Sequence, residues 1–138
     1  MTTSRLNPYL SFKDNAREAM EFYRTVFGGE LTLSTFGDGG MAQTPDESTK
    51  IMHGQLVVSN GYWLMGSDTP AGMETRPNGA ISLSGDDESS LKGYWDKLAA
   101  GGSVMMPLEK APWGDSFGML TDKFGVSWMV NIAGTPQR

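Results

Sequence analysis

The stretch 14–30, DNAREAMEFYRTVFGGE, most constrains what this chain can fold into, because it reads as one amphipathic helix with a hard stop and then recurs. Ala16, Ala19, Met20, Tyr23, Val26 and Phe27 fall at steps of three and four, which places them on one helix face that must be buried. Asp14 stands where it can cap the start. Gly28 and Gly29 end the helix, since glycine takes the left-handed conformation of a helix terminus without a Cβ penalty. The second copy lies 73 positions on. There Asp86 or Asp87 can cap, Leu91, Tyr94, Trp95 and Leu98 form the stripe, and Gly101 and Gly102 form the stop. A chain that writes the same helix twice is built from two copies of one unit.

Around each helix the apolar period falls from 3.6 to two, the period of a strand. Residues 6–12 alternate Leu6, Pro8, Leu10 and Phe12 against Asn7, Tyr9 and Ser11, which predicts a half-buried strand feeding the helix. A Leu- and Thr-rich strand follows over 30–36, and then 37–50, GDGGMAQTPDESTK, with the composition of a mobile surface loop. Residues 51–59 and 62–67 predict a hairpin turning at Asn60-Gly61, a dipeptide that accepts the positive φ of a tight turn. Met52, Leu56 and Val58 share one of its faces, and His53, Gln55 and Val57 the other. After a linker at 68–78 the order repeats: strand 79–84, helix, strand 103–108, a loop 109–116 carrying Trp113, and a last hairpin of 117–121 and 126–132. Gly54 and Gly61 align with Gly118 and Gly125 at one offset, so the hairpins repeat as the helices do.

The predicted fold class is therefore α+β. Two βαβββ modules, 6–67 and 79–132, share a single domain of 138 residues. Neither buries its sheet alone, so the expectation is a curved eight-stranded mixed sheet with both helices on the convex face and a concave face left open. The helix stripes should cover Leu10, Phe12, Leu56, Val58, Ile81, Leu83, Trp128 and Val130. Trp95 and Trp128 read as core.

Composition narrows the function. A net charge of −5 with dispersed acids leaves no basic surface for phosphates, so nucleic acid is not an expected partner. The same balance suits a cationic ligand. No apolar run resembles a leader or reaches the length of a membrane span, which points to a soluble cytoplasmic protein. The absence of cysteine removes disulfides, thiolate nucleophiles and thiolate metal sites together.

By alternation the open face takes Asn7, Tyr9, His53, Gln55, Trp63 and Met65 from the first module, and Ser82, Met119 and Met129 from the second. Trp113 joins them from its Pro-Trp-Gly loop. Aromatic, thioether and small polar groups together are what a small-molecule pocket needs: apolar area for affinity, a few hydrogen-bonding groups for orientation. The other readings of such a face are a solvated sheet and a dimer seam. His53 is the one side chain suited to proton transfer near neutral pH, and it reads either as that group or as a hydrogen-bonded structural histidine. Glu109, Asp115 and Asp122 read as surface carboxylates, and Asp68 as a turn or cap residue.

The doubled βαβββ order, the helix ending EFYRTVFGGE and the terminal DKFGVSWMVNI resemble the vicinal oxygen chelate superfamily, which includes glyoxalase I, extradiol dioxygenases, fosfomycin resistance enzymes and bleomycin resistance proteins. NPYLSF, IMHGQL, WLMGSD and WGDSFG look most like its PhnB-like branch. The resemblance implies a homodimer. It also implies, in the metal enzymes, four His or Glu ligands, whose positions here fall at Asn7, Met65, Ala80 and Met129. None of these is a good ligand for a hard or borderline divalent cation, so neither a metal site nor a cofactor is predicted. The expected function is small-molecule binding without the usual metal-ligand set, comparable in kind to the bleomycin resistance proteins, with an acidic surface attracting a basic ligand. The alternative is a lyase or isomerase using His53 as general base, with any metal held by an unusual Asn, Gln and His set.

Overall fold

The computed structural model describes residues 6–70, 72–75 and 77–134. Their elements run β1 (Tyr9–Phe12), α1 (Ala16–Phe27), β2 (Glu30–Thr35), β3 (Ile51–Val57), β4 (Trp63–Asp68), β5 (Ile81–Gly85), α2 (Glu88–Ala99), β6 (Ser103–Lys110), β7 (Ser116–Thr121) and β8 (Ser127–Ile132). The chain divides after Pro77 into two compact units, each holding one four-stranded mixed sheet. The first sheet has the order β1-β4-β3-β2, with β1 parallel to β4 and the other pairs antiparallel. The second has the order β5-β8-β7-β6, with β5 parallel to β8 and the rest antiparallel. The repeat visible in the sequence is thus a repeat of topology, and the fold is α+β.

In the first unit α1 buries Ala16, Ala19, Met20, Tyr23 and Val26 of the stripe its spacing predicts, and leaves Phe27 half-buried. It lies on the sheet face of Leu10, Phe12 and Leu56, all buried. Two strand glycines let it come close. A Cβ on Gly54 would meet Met20 at 3.3 Å and Leu33 at 3.1 Å, and one on Gly66 would meet Met20 Sδ at 3.2 Å.

Asp14 does not cap this helix. Its own backbone takes a positive φ of 69°, and its carboxylate sits 2.5 Å from Lys50 Nζ. The N-cap position falls to Asn15, whose side chain makes no capping bond. The first amide of the helix, Ala16 N, instead donates 2.9 Å to Asp68 Oδ1 at the end of β4. Asp68 Oδ2 accepts from Ile51 N, also at 2.9 Å. One carboxylate, 2 % exposed, therefore ties the starts of α1 and β3 to β4.

The segment 37–50 is folded back on itself, unlike the mobile loop its composition suggests. Gly37 N donates to Ser48 O and Met41 N to Phe36 O. A turn of 3-10 helix, Asp46–Thr49, places Glu47 where it is 3 % exposed and accepts from Gln43 N at 2.8 Å.

In the second unit Asp87 caps α2, accepting from Ser90 N at 3.2 Å. Leu91, Trp95 and Leu98 are buried, as are Trp128 and Val130 on β8. β5 begins at Ile81, so Gly79 and Ala80 precede it, and β6 continues through Pro107 to Lys110 with irregular register on either side of Met106. Two acids expected at the surface are structural. Asp122, 3 % exposed, accepts from Phe124 N, Val126 N and Trp128 Nε1. Asp115, half-buried, accepts from Gly134 N at 2.9 Å and Asn131 Nδ2 at 3.1 Å. Those two bonds, the Gly134 amide first, hold its carboxyl below the usual carboxylate range.

Candidate functional site

Because strand side chains alternate, each helix-covered face fixes what the other face presents. In the first unit Gly54, Leu56, Leu64 and Gly66 are buried, while His53, Gln55, Val57, Trp63, Met65 and Ser67 between them are half-exposed. The register sorts this open face into rows across the strands. One row is Tyr9–Met65–Gln55–Thr32. Towards one end lie Trp63 and Val57, a paired couple, with Glu30 beyond at the sheet edge. Towards the other end Ser11 pairs with Ser67, and His53 pairs with Ser34. The Gly54–Gly66 pair puts Ser67 and His53 next to each other in line.

Tyr9 and His53 meet on this face. Tyr9 Oη lies 3.5 Å from His53 Nδ1, and the rings are 6.0 Å apart at 35°. At that length the hydrogen bond is weak. Asn7 precedes β1 and is half-buried. Five of the six first-unit candidates therefore share one face, with Asn7 beside it in sequence.

The second unit's open face has a different chemistry. Its central row is Ser82–Met129–Met119–Met106. The next is Ser84–Asn131–Phe117–Glu109. Ser82, Met119 and Met129 are thus cross-strand neighbours, as alternation predicts. Trp113 stands in the turn before β7, 65 % exposed, with its ring 6.3 Å from that of Phe117. Ser34, Ser67, Thr32, Phe117 and Met106 share these faces without having been singled out from the sequence. Their alternation with buried neighbours is a usable signal, but small hydroxyl residues carry little weight in a hydropathy pattern.

Lysines and acids of the first unit meet at the start of α1. A cavity of about 560 Å³ lies at the start of α1, lined by Lys13, Asp14, Lys50, Thr69 and the 72–75 segment, and by none of the ten candidates. Lys50 is held above its ordinary value by its hydrogen bond to Asp14.

A divalent cation does not fit the positions that the superfamily's metal enzymes use. Asn7, Met65, Ala80 and Met129 offer an amide, two thioethers and a methyl group. Among the described residues no three His, Asp or Glu side chains come together. Among them, too, no helix is long and apolar enough to cross a membrane.

Two βαβββ units with the same strand order are a fold this chain shares with solved structures. The fold likeness extends to a glyoxylase/bleomycin resistance protein/dioxygenase domain from Frankia, with a TM-score of 0.64 at 15 % identity over 96 % of this chain and 99 % of that one. The chain belongs to the PhnB-like family whose model is described as 3-demethylubiquinone-9 3-methyltransferase, matched over residues 4–131. Protein PA1353 from Pseudomonas aeruginosa is 41 % identical, with a TM-score of 0.81 over 95 % of this chain and 98 % of that one. The PhnB protein from Bacillus cereus is 27 % identical, with a TM-score of 0.70 over 94 % and 100 %. Protein YjdN of Escherichia coli is 32 % identical over 92 % of this chain and 94 % of its own length.

Proposed function

We propose that this protein binds a small organic molecule on the open face of its first sheet, without a preassembled divalent-metal site, as a homodimer in the cytoplasm. The observation that supports this is the row Tyr9–Met65–Gln55, half-exposed over a fully covered helix side, with His53 and Trp63 in the adjoining rows. Apolar area and a few convergent polar groups are the composition of a ligand site. The amide and thioethers at the superfamily's ligand positions favour direct organic recognition over chelation. Ser82, Met119, Met129 and Trp113 give the second unit an apolar contact face of its own.

A second reading is favoured by the Tyr9–His53 contact. In the tautomer whose Nδ1–H donates to Tyr9 Oη, the Nε2 lone pair is left free, and that is what a general base in a lyase or isomerase requires. The test that separates the two readings begins with thermal shift and tryptophan fluorescence against an organic panel that includes quinones, because the family's description names one. A ligand at a hundred times its Kd stabilises the native state by about 2.7 kcal/mol. Binding lost in Trp63→Ala or Met65→Glu supports the site, and binding untouched by both removes it. Turnover of a bound compound, abolished in His53→Ala while binding persists, supports the catalytic reading.

A further inference from the structure

We propose that the ligand of the first unit's open face is a flat apolar molecule carrying an oxygen-acceptor head, a carboxylate or ketone, rather than an ammonium group. This rests on the reading of that face as a binding surface and names the class of molecule it takes. The overall charge of −5 by itself favours a cation; the local chemistry of the face points the other way. Along the strands the face is graded. Trp63 and Val57 occupy one end, with Glu30 beyond them at the sheet edge and Met65 next to them. The opposite end is the row of Ser11, Ser67, His53 and Ser34, three hydroxyls and an imidazole with no carboxylate among them.

The Tyr9–His53 contact gives this row its polarity. Tyr9 Oη faces Nδ1 at 3.5 Å, so a phenol donating there leaves the neutral ring's proton on Nε2, as a hydrogen-bond donor. Serine hydroxyls rotate to donate beside it. A carboxylate or ketone oxygen accepts from such a row. An ammonium finds hydroxyl oxygens in the row but no carboxylate to offset its charge. Past the same strand ends stand Lys13 and Lys50, the latter paired with Asp14. A flat body laid from Met65 to Trp63 then covers the apolar end, where the indole supplies stacking area.

The experiment is a matched naphthyl series, naphthoate, acetylnaphthalene, naphthylmethylammonium and ethylnaphthalene, titrated into the full chain at neutral pH by calorimetry. The carboxylate and ketone should bind at least about ten-fold tighter than the other two, the worth of one good hydrogen bond. His53→Phe and Ser67→Ala should bring them down to the level of ethylnaphthalene without changing that compound's own affinity. Trp63→Ala should weaken all four. Should His53→Phe melt early, Ser67→Ala carries the comparison, since it only trims a hydroxyl. Equal affinities across the heads, or a tighter ammonium, with Trp63→Ala still weakening every compound, would overturn the ligand class and leave the binding face standing. No binding by any member would overturn the binding face, and this inference with it.

Discussion

Replacing Asp68 by alanine and by asparagine measures how much of the first unit hangs on one carboxylate. Its two oxygens accept from Ala16 N and Ile51 N, each at 2.9 Å, and the side chain is 2 % exposed, so water cannot step in for a lost acceptor. A hydrogen bond to a charged group contributes about 1.5–3 kcal/mol, and a buried amide left without a partner costs a similar amount. Asp68→Ala, which loses both, should therefore cost about 3–6 kcal/mol. Asp68→Asn keeps one acceptor and turns an NH2 toward the other amide, so about 2–3 kcal/mol is expected. Against a typical domain stability of about 5–15 kcal/mol, the alanine variant sits near the edge of folding. Urea denaturation followed by far-ultraviolet circular dichroism gives both values if the slope with denaturant is unchanged. Asp38→Asn is the control, because its acceptor role toward Thr35 N is exposed and long at 3.3 Å; it should stay within about 0.5 kcal/mol of the parent. If Asp68→Asn is as mild as that control, the carboxylate is not what fastens α1 and β3 to β4, and the account of this unit's assembly fails.

Glycine substitutions beneath the helices should rank by the room available. Gly118→Ala, whose Cβ would fall 2.7 Å from Trp95 and 2.8 Å from the Leu108 backbone, should cost about 3 kcal/mol or more, and Gly54→Ala, with contacts of 3.1–3.3 Å mostly to side chains that can shift, about 1 kcal/mol; the reverse order in melting temperature would contradict the packing described. Asp115, with its carboxyl held low by Gly134 and Asn131, stabilises the fold above the ordinary carboxylate value and loses that contribution as pH falls through its own lowered one. The urea midpoints of parent and Asp115→Ala should thus differ at pH 7 and converge below about pH 4. Titration of Zn²⁺, Ni²⁺, Mn²⁺ or Fe²⁺ should leave the melting temperature where it is, and a stoichiometric metal that disappears in His53→Ala would restore a metal centre to consideration.

Local signals were legible in the sequence, and distant ones were not. The stripes of α1 and α2, their glycine stops and the Asn60-Gly61 turn, with Gly61 at φ 98°, all follow from spacing within a few residues. The cap of α1 does not, because its acceptor is Asp68, 52 residues from Ala16 in the chain. Asp122 misleads for a related reason. In a Asp-Lys-Phe-Gly turn a carboxylate reads as solvated, and only the return of Trp128 over it, donating at 2.8 Å, makes it a core group. The 37–50 segment has no periodicity, so its closure by Glu47 and by amides reaching back to Phe36 and Ser48 leaves no trace in composition. Period two did sort the sheet faces, since burial on one side fixes what stands on the other. What it could not give was register, and register is what sets His53 beside Tyr9 and Ser34 rather than alone.

The two units make an internal comparison that separates packing from function. Under the helices one strand of each copy agrees, Gly54 matching Gly118 and Leu56 Leu120, with Gly61 matching Gly125 in the turn, while on β4 and β8 the sizes differ, Leu64 against Trp128 and Gly66 against Val130. A residue there answers to the helix above it. On the open faces no helix of the described residues packs from the same unit, and there the copies part more widely. His53 corresponds to Phe117, Gln55 to Met119 and Tyr9 to Ser82, while Met65 and Met129 hold the same side chain, as do Ser11 and Ser84. The imidazole and phenol thus stand on the first face, and Phe117 with Met106, Met119 and Met129 on the second. Packing under the helices does not account for that difference between the faces. Recognition of a ligand supplies a reason, because hydrogen-bond donors fix orientation only where they converge, and His53 with Tyr9 and its serine neighbours is where this chain brings them together.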